Sequence, residues 1–253
     1  MEKTTTANVE KVRYHLLDTV RGICIILVVL YHILYNLSEV FGGNFAFFNS
    51  CGMNLFRDCF VGVLIILSGI SCQLSKSNLK RGFKTLLWAL VITSVTATLM
   101  PHSIITFGIL HFFSASMILF GIFQRPLDKI STPVGIVVFA VLFMLTENIY
   151  YGFIGIEGLY GFSFPNMPDY FIFSALGFAT KHFSADYWPI FPWFFLFLVG
   201  TFLGRPFKNK TAPQIFKSNP LPFLSLLGRH TLWIYLIHQP VIYGIMLLLF
   251  EFF

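Results

Sequence analysis

Leu17-Asp18-Thr19-Val20-Arg21-Gly22 runs without a break into Ile23-Cys24-Ile25-Ile26-Leu27-Val28-Val29-Leu30-Tyr31 and reaches His32. The apolar run has membrane length, and its periodicity predicts a helix. A helix turns about 100° per residue, so Arg21 and His32, eleven positions apart, share one face with about 16 Å of rise between them. Asp18 lies three residues before Arg21, one turn earlier on the same stripe. A carboxylate, a guanidinium and an imidazole are costly in hydrocarbon, so they are expected to face protein or a wet cavity.

Composition places the rest of the chain around this segment. Of 253 residues, 56% are apolar and 18% aromatic, while 11% are charged, far below the roughly 25% of soluble domains. The chain reads as an integral membrane protein without room for a large soluble domain. The net charge of +6 does not signal nucleic acid, because the basic residues form short clusters between apolar runs. Residues 1–15 read as a cytoplasmic tail and 16–253 as one transmembrane domain. The charged start resembles a signal peptide only superficially: no small-x-small cleavage site follows, and the first span is expected to stay uncleaved. Cys24, Cys51, Cys59 and Cys72 have no metal or redox spacing, so no metal is expected. A Cys51–Cys59 pair outside the membrane is left open.

Apolar windows near 16–37, 54–75, 82–100, 103–123, 133–149, 188–204 and 226–250 predict an all-α, polytopic membrane helix bundle of about seven spans. The loop charges test that order. Lys3, Lys11 and Arg13 precede the first span. Lys76, Lys80, Arg81 and Lys84 follow the second, Arg125 and Lys129 the fourth, and Arg205, Lys208, Lys210, Lys217 and Arg229 the sixth. All fall on one side, leaving Arg57 and Lys181 on the other and Arg21 inside the first span. That asymmetry predicts a cytoplasmic N-terminus and an external C-terminus. The stretch Tyr170–Phe178 is too short to span and too apolar for a free loop, and reads as re-entrant or interfacial.

The remaining intramembrane polar residues are sparse. His111 lies in Phe107-Gly108-Ile109-Leu110-His111-Phe112, while Arg229 and His230 open the last window and His238-Gln239-Pro240 lies near its middle. Pro240 supplies no backbone donor, a feature of spans that border cavities. Asp18, Arg21, Arg229 and His230 at the cytoplasmic end suit a phosphate-bearing donor. His32, deeper in, suits a general base, with His111 and His238 as further catalytic candidates. Each residue also has a plainer role: a lone histidine often ties helices together, Asp18 with Arg21 can be a helix-start ion pair, and the Phe residues can serve lipid contact or packing. Ser68-Gly69-Ile70-Ser71 suits close helix approach.

Arg13, Leu17–Gly22 with His32, Leu67–Ser71, Phe107–Phe112, Ser184-Ala185-Asp186-Tyr187-Trp188-Pro189-Ile190-Phe191-Pro192-Trp193, and Leu227-Gly228-Arg229-His230-Thr231-Leu232-Trp233-Ile234-Tyr235-Leu236-Ile237-His238-Gln239-Pro240 together resemble the bacterial members of the heparan-alpha-glucosaminide N-acetyltransferase catalytic-domain family. The first motif alone is also similar to the membrane acyltransferase-3 family. The resemblance implies transfer of an acyl group, acetyl above all, from cytoplasmic acyl-CoA to an amino or hydroxyl group of a sugar-like acceptor across the membrane, with a histidine-dependent step. Lysosomal members carry Asn where His32 stands and place their histidine in the following loop. Here that loop offers Asn36, Asn44 and Asn49 and no histidine, which moves the expectation to His32. The implied partners are membrane lipid, acyl-CoA and a glycan or other small acceptor, with a homo-oligomer left open. The size of the chain, without the extra spans and lumenal domain of lysosomal members, points to a bacterial inner membrane. A transporter using the same Arg and His cavity is the rival reading.

Overall fold

The computed structural model describes residues 13–251, apart from 44, 46 and 183. Lys3, Lys11, Asn44 and most of the expected tail lie outside the described residues. The elements run α1 His15–Tyr35, a π-helical turn Asn36–Val40, α2 Cys51–Gln73, α3 Asn78–Leu99, α4 Ile109–Asp128, α5 Thr132–Thr146, β1 Phe153–Ile156, β2 Tyr160–Ser163, α6 Phe171–Leu176, α7 Trp193–Leu203, α8 Arg205–Lys208, α9 Pro222–Arg229 and α10 Thr231–Glu251. Local chemistry explains several ends. The Ser77 hydroxyl accepts from the Lys80 amide at 3.3 Å and caps α3, prolines occupy the first turns of α5, α8 and α9, and Gly177 closes α6 in the left-handed region.

Among the described residues, five helical segments are long and apolar enough to cross a membrane: His15–Val40, Cys51–Gln73, Asn78–Leu99, Thr132–Tyr151 and Thr231–Phe250. The protein is therefore an all-α integral membrane protein, but two of the seven expected windows take other forms. The window at 188–204 holds α7, whose 11 residues rise only about 16 Å against a hydrocarbon core of about 30 Å. The window at 103–123 enters its α-helix only at Ile109, after a loop in which the Thr106 and Phe107 amides donate to the distant Ser184 hydroxyl. The last window is interrupted at His230, so Gly228 and Arg229 end α9 rather than opening α10. A two-stranded hairpin, β1 with β2, stands where no strand was expected. Cys51 and Cys59 lie on one helix, about 12 Å apart along its axis, and all four cysteines are free.

The chain forms two compact units. The first holds residues up to 54 and from 212 onward. Its centre is the crossing of α1 and α9, where Gly22 and Gly228 let backbones touch. A Cβ on Gly22 would overlap the Leu224 carbonyl, and one on Gly228 would overlap that of Asp18. α10 also packs on α1.

The second unit spans 55–211. α3 lies against α4, with Gly82 facing the Ser114 backbone and Ile118, and α5 lies against α7, with Gly135 under the Phe202 ring. Gly69 faces Phe197 and Gly200, while Gly200 and Gly204 face the carbonyls of Ile66 and Ile70. The small-residue stretch near Ser68 thus serves the close approach its composition suggested. Phe112, Phe120, Phe197 and Phe202 are fully buried, so these phenylalanines pack the interior. Arg205 donates to the carbonyls of Ile130 at 2.6 Å and Leu127 at 2.9 Å, tying α8 to the α4–α5 connection.

Candidate functional site

α1 runs unbroken from His15 to Tyr35 and carries both ends of the polar stripe. At its start Asp18 is buried, and each carboxylate oxygen meets one guanidinium. Arg21 Nη1 lies 2.6 Å from Oδ1 and Arg13 Nε 3.0 Å from Oδ2. Two cations on one carboxylate leave net positive charge, which compensates the burial of Asp18. Because Gly228 touches the Asp18 backbone, α9 ends beside this cluster, and the exposed Arg229 and His230 follow at the joint with α10.

Toward the other end of α1, His32 meets His238 of α10 with ring centroids 4.6 Å apart and planes at 84°. His32 Nδ1 lies 2.9 Å from the Val28 carbonyl, and His238 Nδ1 lies 2.6 Å from that of Tyr235. A carbonyl oxygen only accepts, so Nδ1 carries the proton in both rings and the basic lone pair of each neutral imidazole is on Nε2. His238 is 7% exposed, and its Nε2 has no hydrogen-bond partner among the described residues.

An amide pair braces the two rings. Asn36, fully buried one turn beyond His32, donates through Nδ2 to the His32 carbonyl at 2.7 Å and to Gln239 Oε1 at 3.2 Å. Gln239 Nε2 donates back to Asn36 Oδ1 at 3.4 Å. Asn36 opens the π-helical turn, a backbone form concentrated at functional positions. By sequence Asn36 falls in the expected loop after the first span and Gln239 carries no expected role. Their signal was adjacency: four residues after one histidine, and one after the other.

His111 belongs to the second unit, where both ring nitrogens are engaged. The Gly108 amide donates to Nδ1 at 3.3 Å, so the proton sits on Nε2, which donates to Thr93 Oγ1 at 3.2 Å. The Thr93 hydroxyl donates onward to the Ile105 carbonyl at 2.7 Å. This is an N-terminal cap of α4, completed from afar by Asp186 Oδ2, which accepts from the Ile109 amide at 3.1 Å, and by Ser184 Oγ, which accepts from Thr106 and Phe107 at 3.2 Å. Ser184 and Asp186 belong to a stretch that carried the resemblance, but spacing alone gave them no partner.

The sequence model described as heparan-alpha-glucosaminide N-acetyltransferase, catalytic, matches residues 13–240, which include Asp18, Arg21, His32, Asn36, His111, Arg229, His230, His238 and Gln239. The chain belongs to this family. No curated protein and no solved structure gives a significant match. Membership in the heparan-alpha-glucosaminide N-acetyltransferase family makes this a membrane acetyltransferase in general terms, of a family whose donor is acetyl-CoA and whose acceptors are sugars. Among the described residues no cluster of His, Cys, Asp and Glu has the form of a metal site.

Proposed function

We propose that this protein transfers an acetyl group from cytoplasmic acyl-CoA to an amino or hydroxyl group of a sugar-like acceptor on the far side of a bacterial inner membrane, with His32 as general base. The observation that carries this reading is the pair of imidazoles, His32 and His238, each held by a backbone carbonyl so that Nε2 is the basic atom. The acceptor nitrogen or oxygen attacks the thioester carbonyl carbon while its proton passes to His32 Nε2. The carbon–sulfur bond then breaks, and the CoA thiolate takes the proton back from the imidazolium. His238, with its ring 4.6 Å from that of His32 and nearly perpendicular to it, positions the His32 ring by packing.

Arg21 and Arg229, with Asp18 and His230, form the donor-phosphate end of this reading, and Asp18 orients the Arg21 guanidinium. His111, with both nitrogens engaged in the α4 cap, acts by position rather than by touching substrate. The clustering of Lys and Arg between the apolar windows supports a cytoplasmic N-terminus and an external C-terminus.

The test is binding of acetyl-CoA to the purified protein, with desulfo-CoA as competitor. Wild type and His32→Ala should bind, Arg21→Ala and Arg229→Ala should bind weakly, and only wild type should release CoA thiol when methyl α-glucosaminide is added. A well-folded wild type that binds no donor overturns the reading and places a transporter first.

A further inference from the structure

The β1–β2 hairpin follows α5 closely: the apolar span ends at Tyr151, and β1 begins after the single residue Gly152. β1 packs back on α5, and the Phe164 amide donates to the Gly152 carbonyl at 2.9 Å, closing the hairpin base. Gly158, with φ of 78°, makes the turn, and the Leu159 amide donates to the Ile156 carbonyl at 3.0 Å. The hairpin is thus held at the end of a spanning helix.

Its two faces differ. The register pairs Ile154 with Phe162 and Ile156 with Tyr160, so one face carries four apolar side chains. The other face holds Phe153 folded over Gly161, with Gly155 and Ser163. On the first face Tyr160 is 83% and Phe162 59% exposed, and Leu159 at the turn is 78% exposed. Tyr151 at the base, and Tyr170 and Ile172 of the following segment, are also exposed. α6 joins the hairpin base through edge-to-face contacts of Phe164 with Phe178 and of Phe178 with Phe173, with centroids 5.6 and 5.9 Å apart. Glu157 at the turn is the single charge between Ile149 and Pro168.

A two-stranded hairpin with an uncovered apolar face is marginal in water, whereas aromatic side chains with a polar tip are favoured where hydrocarbon meets headgroups. A sugar platform would need hydrogen-bonding side chains between the rings, and Asn166 is the single carboxamide between Ile149 and Pro168. We infer that the apolar face of the β1–β2 hairpin, with the tip residues Leu159 and Tyr160, lies in the headgroup and glycerol layer of the bilayer at the end of α5. The hairpin is an interfacial anchor that fixes the depth of α5 and extends the membrane-contacting surface to α6.

The test uses the full chain in nanodiscs of phosphatidylethanolamine and phosphatidylglycerol. The exposed Cys51 and Cys59 are replaced by Ser, and a spin label is attached at Leu159→Cys, Tyr160→Cys or Ile172→Cys. Leu87→Cys on the exposed face of α3 is the hydrocarbon reference, and Asn209→Cys the aqueous one. Collision with oxygen and with a water-soluble nickel chelate reads depth. The labels on the hairpin and on α6 are expected between the two references, with more oxygen and less nickel collision than at Asn209. Nickel access equal to that at Asn209 overturns the inference and leaves an aqueous face open to soluble ligands. Loss of both collisions also overturns it, because the face is then covered by protein such as a second copy. Three label sites keep the result readable if one variant fails to fold.

Discussion

Asn36→Ala should destabilise the protein measurably and disturb the imidazole pair. The substitution removes donation to the His32 carbonyl at 2.7 Å and the reciprocal bonds with Gln239 at 3.2 and 3.4 Å. At about 1 kcal/mol for each of the two shorter bonds and less for the longest, the loss is about 2–3 kcal/mol, since a fully buried site has no water to replace the partner. For a chain of this size that corresponds to a fall in Tm of about 5–10 °C. Because Asn36 and Gln239 adjoin His32 and His238, a shift of about 1 Å in either ring would lower kcat by as much as about 100-fold. Thermal unfolding in lipid nanodiscs gives the first quantity and thiol release from acetyl-CoA the second. The exchange Asn36→Gln with Gln239→Asn keeps both amides and the combined side-chain length, and should recover much of the loss. An Asn36→Ala variant whose Tm stays within about 2 °C of wild type, which is under 1 kcal/mol, would refute the claim that this pair ties α1 to α10.

Gly228→Ala places a Cβ on the Asp18 carbonyl, backbone against backbone, so α9 must move away from α1. A loss of about 1–3 kcal/mol is expected, together with weaker acetyl-CoA binding by calorimetry, because Asp18 orients Arg21. His111→Ala removes a cap and should cost about 1–2 kcal/mol in thermal stability, while the pH profile of kcat stays that of wild type; a changed profile would mean that His111 exchanges protons in the reaction. Tyr187, in the connection between α6 and α7, donates to the Ser174 carbonyl at 2.7 Å, and burial pushes its pKa up to about 12. The neutral form is the one the fold favours, so its contribution is complete below about pH 10, the unfolded value, and is lost as pH rises toward 12. Denaturation followed from pH 8 to 12 should show this alkaline loss, and Tyr187→Phe should reduce it.

Contacts within one helix were readable from spacing because helix geometry repeats. Asp18 and Arg21, three apart, had to meet, and Arg21 and His32 had to share α1. Hydropathy likewise determined that the chain is a helical membrane protein, and the small residues near Ser68 announced a close crossing without naming α7 as the neighbour. Tertiary structure decided whatever joins distant segments. It set His32 against His238 and Asn36 against Gln239, and it brought Asp186 and Ser184 to the start of α4, which accounts for His111 as part of a cap. It also stopped α7 at 11 residues, parted α9 from α10 at His230, and folded an apolar stretch into the β1–β2 hairpin. Periodicity records which residues share a face, but side chains from two segments meet only once helix packing has set a crossing and a register, and neither is encoded in the spacing along a single segment.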